Sequence, residues 1–199
     1  MLTVVSPAAF NDLVTVDRVK NELSITGTSL DAQLEDLIDE ASSLIAAYCN
    51  RDSFGAEDLL QIERPTCPRA CIVLGRDLAV TIGTVTEDGT TLADTDYEAD
   101  GALLYRLYDD ARVAWSANKV VIEYTAGFAL PDDAPVALSR AALDLVVGMY
   151  RGIGRDTAIR SEQVEGVGQT AYFETKAGTI ALSADRIAAL ARYRLVSIG

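Results

Sequence analysis

The chain has 199 residues, 49% of them apolar, enough for one domain with a real core or a domain with a sizeable insertion; no apolar run approaches the ~20 residues that span a bilayer. Its net charge of −13 argues against duplex DNA as a direct ligand, because neutralising phosphates needs a basic surface. The absence of histidine removes Ser-His-Asp and Cys-His chemistry and leaves only carboxylate or lysine sites, for which no motif spacing is present.

In chain order, residues 1–14 read as an extended or loosely ordered lead-in without a basic region or apolar stretch, so no signal peptide is expected. Thr15–Leu23 predicts a short helix with Thr15 as its N-cap and Val16, Val19 and Leu23 on one face. A turn at Ser24–Ser29 leads into a long helix over Leu30–Tyr48. There Leu30, Leu34, Leu37, Ile38, Ala41, Leu44, Ile45 and Tyr48 recur at helical spacing and form one apolar stripe. The opposite face carries Asp31, Glu35, Asp36, Asp39 and Glu40. Thr28 stands three residues before Asp31 as a weak capping box, and Asn50 is a plausible stop.

After Arg51 the period falls toward two. Leu60–Arg64, Ala70–Leu74, Ala79–Glu87, Thr90–Leu92, Asp96–Ala99, Leu103–Tyr108 and Val120–Thr125 are candidate strand segments, about six short strands in all, with Asp88-Gly89 as a two-residue hairpin turn and Asp100-Gly101 as a second turn. Helix returns at Val136–Tyr150, apolar almost all round, capped by Asp132 or Asp133 with Pro135 in its first turn, and expected to pack on Leu34, Ile38 and Ile45. Arg151–Arg160 is basic and glycine-broken; without a preceding strand or a following GK[ST] it does not read as a phosphate loop. Residues 161–175 fit a loop or a hairpin arm, and Ser183 caps a last helix through about Leu195.

Three cysteines, Cys49, Cys67 and Cys71, read as reduced, buried thiols, and the C-x3-C spacing is loose for zinc. No metal, cofactor or catalytic residue is expected: Asp109-Asp110 and Asp132-Asp133 read as turn or cap residues. Charge is divided unevenly. Residues 1–149 hold 10 basic and 25 acidic residues, residues 150–199 hold 7 and 5. An acidic body suits a channel through which DNA slides without sticking, and it equally suits plain solubility.

Three ordered blocks carry a family resemblance. VTVDRVKNELSI is followed by DAQLEDLIDEASSLIAAYCNR, with an aromatic-x-x-Arg ending at Tyr48 and Arg51. VTIGTVTEDGTTLADTDYEAD, Trp115 and VVIEYTAGF then give a strand–DG–strand and a Y-x-A-G-[YF] close at Tyr124–Phe128. LPDDAPVALSRAALDLVVGMY supplies a P-x-x-[VL]-P-x-x-[LI] helix. Together they resemble the head–tail connector, or adaptor, proteins of long-tailed bacteriophages, prophages and gene transfer agents.

The resemblance implies a non-enzymatic head-completion protein that forms a ring, commonly of twelve copies, between the capsid portal protein and the next neck, stopper or tail component. Genomic DNA would be only the passing, non-specific content of the channel, with no membrane involved. The protein would be made in the host cytoplasm and reside in the virion at the head–tail interface. The expected fold class is α+β: a helical core (helical hairpin, buried helix and C-terminal helix) over 1–56 and 128–179, an inserted small antiparallel β domain over 57–127, and a partner-binding tail over 180–199. That tail would place Arg186, Ile187, Leu190, Arg192, Tyr193, Arg194 and Leu195 at the portal, and Asp31, Glu35, Asp39 and Glu40 are the candidate channel-facing acids. The same C-terminal stripe also fits a helix that simply caps its own core. The alternative function is a tail-completion or other virion interaction module bound through the β insertion.

Overall fold

Short strands between Glu57 and Ala126, joined by one from the N-terminal lead-in, build two antiparallel sheets. The computed structural model describes residues 1–116, 118–153, 161–164, 168–171 and 182–195. Its strands in chain order are β1 (Leu2–Ser6), β2 (Glu57–Glu63), β3 (Ile72–Val73), β4 (Thr81–Glu87), β5 (Thr90–Thr91), β6 (Tyr97–Asp100), β7 (Leu103–Tyr108), β8 (Ala111–Val113), β9 (Val120–Ala126), β10 (Ser161–Val164) and β11 (Gly168–Ala171). The larger sheet runs β1-β2-β9-β4-β5; the smaller runs β3-β7-β6, with β8 also on β7. β10 and β11 form a separate hairpin. The chain is thus α+β with antiparallel sheet, and the extended lead-in is, over Leu2–Ser6, an edge strand laid along β2.

Two compact units divide the chain: residues 1–11 with 53–133, and residues 12–52 with 134–199. In the sheet unit both sheets contribute to one core of Leu59, Ile72, Val85, Leu104, Trp115 and Ile122 with their neighbours. Trp115 is fully buried, and its indole N–H donates to the Leu104 carbonyl at 3.0 Å, so burial leaves no orphan donor. Buried Gln61 is satisfied in the same way. It donates to the Val73 carbonyl at 2.9 Å, and its oxygen accepts from the Gly75 amide at 2.9 Å and the Tyr124 hydroxyl at 3.2 Å.

The two ends of the sheet segment lie side by side: the Ala56 amide donates to the Phe128 carbonyl and the Phe128 amide to the Phe54 carbonyl, both at 2.9 Å. Gly127 makes this possible. It has φ +111°, and a Cβ there would meet the Gly55 oxygen at 2.1 Å, which gives the glycine of the YTAGF close a steric reason. Asp88-Gly89 turns with φ +46° and +89°, as the hairpin signal predicts. Asp109 and Asp110, read from the sequence only as turn or cap residues, form the two-residue turn of the β7–β8 hairpin, at φ +49° and +62°.

The helical unit contains α1 (Val16–Leu23), α2 (Asp31–Tyr48), α3 (Val136–Gly152) and α4 (Ala184–Leu190), the last followed by a 3-10 turn at Ala191–Tyr193. α1 packs on α2 and α3, α2 on α3, and α4 on α3. Leu34, Ile38, Ala41 and Ile45 of α2 and Leu138, Ala142, Leu145 and Val146 of α3 are buried. Thr15 caps α1, accepting from the Arg18 amide at 3.3 Å. Two cap expectations are corrected. At α2 the cap position is Leu30, without a side-chain bond, and Thr28 acts through its carbonyl, which takes the Asp31 amide at 3.3 Å. At α3 Pro135 itself is the cap position, just outside the first turn, and neither Asp132 nor Asp133 caps. Beyond α2, Asn50 adopts φ +54°; its amide returns to the Ala47 carbonyl and that of Arg51 to the Ala46 carbonyl, both at 3.0 Å, closing a Schellman motif.

Of the three free thiols only Cys49 is buried; Cys67 is exposed and Cys71 half-buried, so the expectation of buried thiols holds for Cys49 alone. Residues 154–160, which include most of the glycine-broken basic stretch, lie outside the described residues, as do 180, 181 and 196–199 of the tail.

Candidate assembly surfaces

α2 ends in a clamp for the C-terminal segment. The first free carbonyls of a helix terminus need donors, and its negative dipole end favours cations. Here the Leu195 amide donates to the Cys49 carbonyl at 2.9 Å, and the buried Arg51 Nε donates to the Tyr193 carbonyl. The Arg194 guanidinium lies over the Tyr48 ring, 5.5 Å from its centroid. The aromatic-x-x-Arg ending therefore has a physical role: both of its residues hold residues 193–195. Burial pushes the Cys49 thiol above its usual range, with Arg51 and Arg194 pulling the other way.

Within that segment Leu190 is fully buried and Tyr193 nearly so, both in their own unit. Ile187 and Leu195 are half-buried. Arg186 donates from Nε to Asp144 Oδ2 of α3 at 2.7 Å. Arg192 is exposed, stacked on the Tyr193 ring and donating to its hydroxyl at 2.6 Å. The apolar part of the segment thus caps its own core, and the cations Arg192 and Arg194 stand at the surface.

The acidic residues of α2 separate into three environments. Asp31 forms an ion pair with Lys20 of α1. Asp36 and Glu40 are exposed and make no ion pair among the described residues. Glu35 and Asp39 are exposed as well, and Asp12 joins them from the loop before α1. Burial pushes the Asp12 carboxyl up to about 6, helped by a hydrogen bond with Asp39 and by the charges of Asp39 and Glu35. The adjacent Leu13 amide donates to Ser42 Oγ of α2 at 3.1 Å, which holds Asp12 against this crowded flank. Sequence periodicity misses Asp12 because it lies outside the helix, and only the folded loop brings it there. No group of residues that could hold a metal ion occurs among the described residues.

The family model described as "Head completion protein" matches residues 12–194. A comparison with curated protein sequences finds no match. Among solved structures the chain is similar to one in the neck of a native GTA (gene transfer agent) particle computed with C12 symmetry, at 19% identity and TM-score 0.51, covering 100% of this chain and 97% of that chain. It is also similar to one in the neck of an empty GTA particle computed with C6 symmetry, at 18% identity and TM-score 0.55, with the same coverage. At these identities the likeness concerns the fold.

Proposed function

This chain belongs to the head completion protein family, and we propose that it is a structural, non-enzymatic adaptor that forms a ring between the capsid portal and the next neck or tail component, continuing the DNA channel. The observation that carries this reading is the family match over residues 12–194. The full-length likeness to chains from symmetric particle necks supports the ring, and C12 symmetry in one of them favours twelve copies. Asp36 and Glu40, exposed on α2 and in no ion pair among the described residues, suit a lumen that repels DNA phosphates. The C-terminal segment carries the portal contact in this reading, with Leu190 and Tyr193 anchoring its base in the helical unit.

Light scattering tests this on the purified chain, alone and mixed with the cognate portal. A portal complex heavier by a ring of copies is expected. A chain that ignores the portal, with crosslinks only from the sheet unit to a tail component, overturns the reading in favour of a tail-completion module.

A further inference from the structure

Arg192 and Arg194 form a pair of surface cations, and among the described residues neither meets a carboxylate. The crowded carboxylates Glu35, Asp39 and Asp12 likewise meet no cation among those residues. Both clusters belong to the same helix, one built onto its flank and the other clamped at its end. At ~100° per residue, the nine residues from Asp39 to Tyr48 put the two roughly 180° apart around α2. Arg194 lies over Tyr48 and so marks the cationic side; Asp39 marks the acidic side.

One chain therefore carries two complementary patches on opposite flanks of one helix. A patch pair of this kind cannot be satisfied within one copy, and two different patches on one chain generate head-to-tail contacts that close into a ring or run on as a filament. Carboxylates crowded together without a cation are also groups that an arriving guanidinium relieves. We infer that neighbouring copies join through Arg192 and Arg194 of one copy against Glu35 and Asp39 of the next. This rests on the ring reading above, and it assigns these two arginines to the lateral contact rather than to the portal. Asp36 and Glu40, nearer the middle of the wet face, remain free for the lumen.

Charge reversal in the full chain tests this, read as ring mass by light scattering with the cognate portal. Each variant is first checked for a native far-UV circular dichroism spectrum and a cooperative thermal melt, since Arg194 also touches Tyr48 and Asp39 also touches Asp12. Arg192→Glu with Arg194→Glu, and separately Glu35→Arg with Asp39→Arg, are each expected to shift ring formation by roughly a hundredfold in concentration, since like charges then face each other. Mixing the two variants restores the ring, because every interface in an alternating ring again pairs opposite signs. Combining all four changes in one chain restores it as well.

Rings of normal mass from either variant alone overturn this inference and leave the ring reading standing. Loss in both variants without restoration on mixing also overturns it, because the cations then act on a partner other than a second copy. A wild-type chain that forms no ring with the portal overturns the ring reading and this inference together.

Discussion

In the sheet unit Arg106 sits on Glu87 at 3.1 Å, Arg112 on Glu98 at 2.9 Å and Arg76 on Glu57 at 3.5 Å, whereas in the helical unit Glu35, Asp36, Asp39 and Glu40 line one helix with no cation of the described residues on them. The sheet unit disperses its charge into local pairs across strands, and its hairpin turns use Asp where the backbone needs a positive φ. The helical unit segregates its charge, acid along α2 and base after α4, and the crowding around Asp12 is the penalty. A fold gains nothing from such segregation, so the pattern points to contacts outside the chain. The two units also differ in how their cores are closed. The sheet unit buries a single indole with its donor satisfied, while the packed faces of α2 and α3 are aliphatic and the helical unit is finished by a clamped terminal segment.

The largest expected effect breaks the sheet side of this contrast. Trp115→Ala removes a fully buried ring, and denaturant unfolding followed by far-UV circular dichroism should show a loss of about 3–5 kcal/mol. Next, Arg51→Met removes the donor to the Tyr193 carbonyl from a nearly buried site. Stability is expected to drop by about 1–3 kcal/mol, with faster tryptic cleavage at Arg192 and Arg194 as the segment loses its anchor. An unchanged cleavage pattern would mean that Leu190 and Tyr193 hold the segment by apolar burial alone.

The smallest effect sharpens the helical side. Burial and the neighbouring carboxylates raise the Asp12 pKa in the folded state to about 6 from its ordinary 3.8, so the folded state holds this proton more tightly than the unfolded chain. Its contribution is most favourable below about pH 4 and is lost as pH rises through about 6. Asp12→Asn should therefore raise stability at pH 7 by on the order of 1 kcal/mol, reduced from the full linkage value because the group is partly solvated. It should also flatten the pH dependence between 4 and 6, which melting temperatures across that range would show.

Local features of this fold are legible in the sequence. The periodicity of α1, α2 and α3 and the Asp88-Gly89 turn depend on neighbours within a few residues, and they stand where the pattern puts them. Long-range pairing is not legible. β1 lies on β2 across some 60 residues, and nothing in LTVVS names that partner. The β7–β8 turn is harder to recognise because Asp109-Asp110 lacks the glycine that usually marks a two-residue hairpin. Within the surfaces, the acidic stripe of α2 is visible as a stripe, but its division is not. Lys20 claims Asp31, and Asp12 arrives from a loop. The apolar stripe of α4 shows in sequence that something is buried there without showing against what; Leu190 and Tyr193 turn inward, and Tyr48 and Arg51 acquire their role as its clamp.

The central claim is that the segregated charges of the helical unit serve a ring beneath the portal, and a reconstruction of the assembled neck tests it most directly. The account predicts a ring of this chain against the portal, with Asp36 and Glu40 toward the lumen and Arg194 of each copy beside Asp39 of the next. A chain located away from the portal, or a lumen lined by the sheet unit with α2 turned outward, would contradict it.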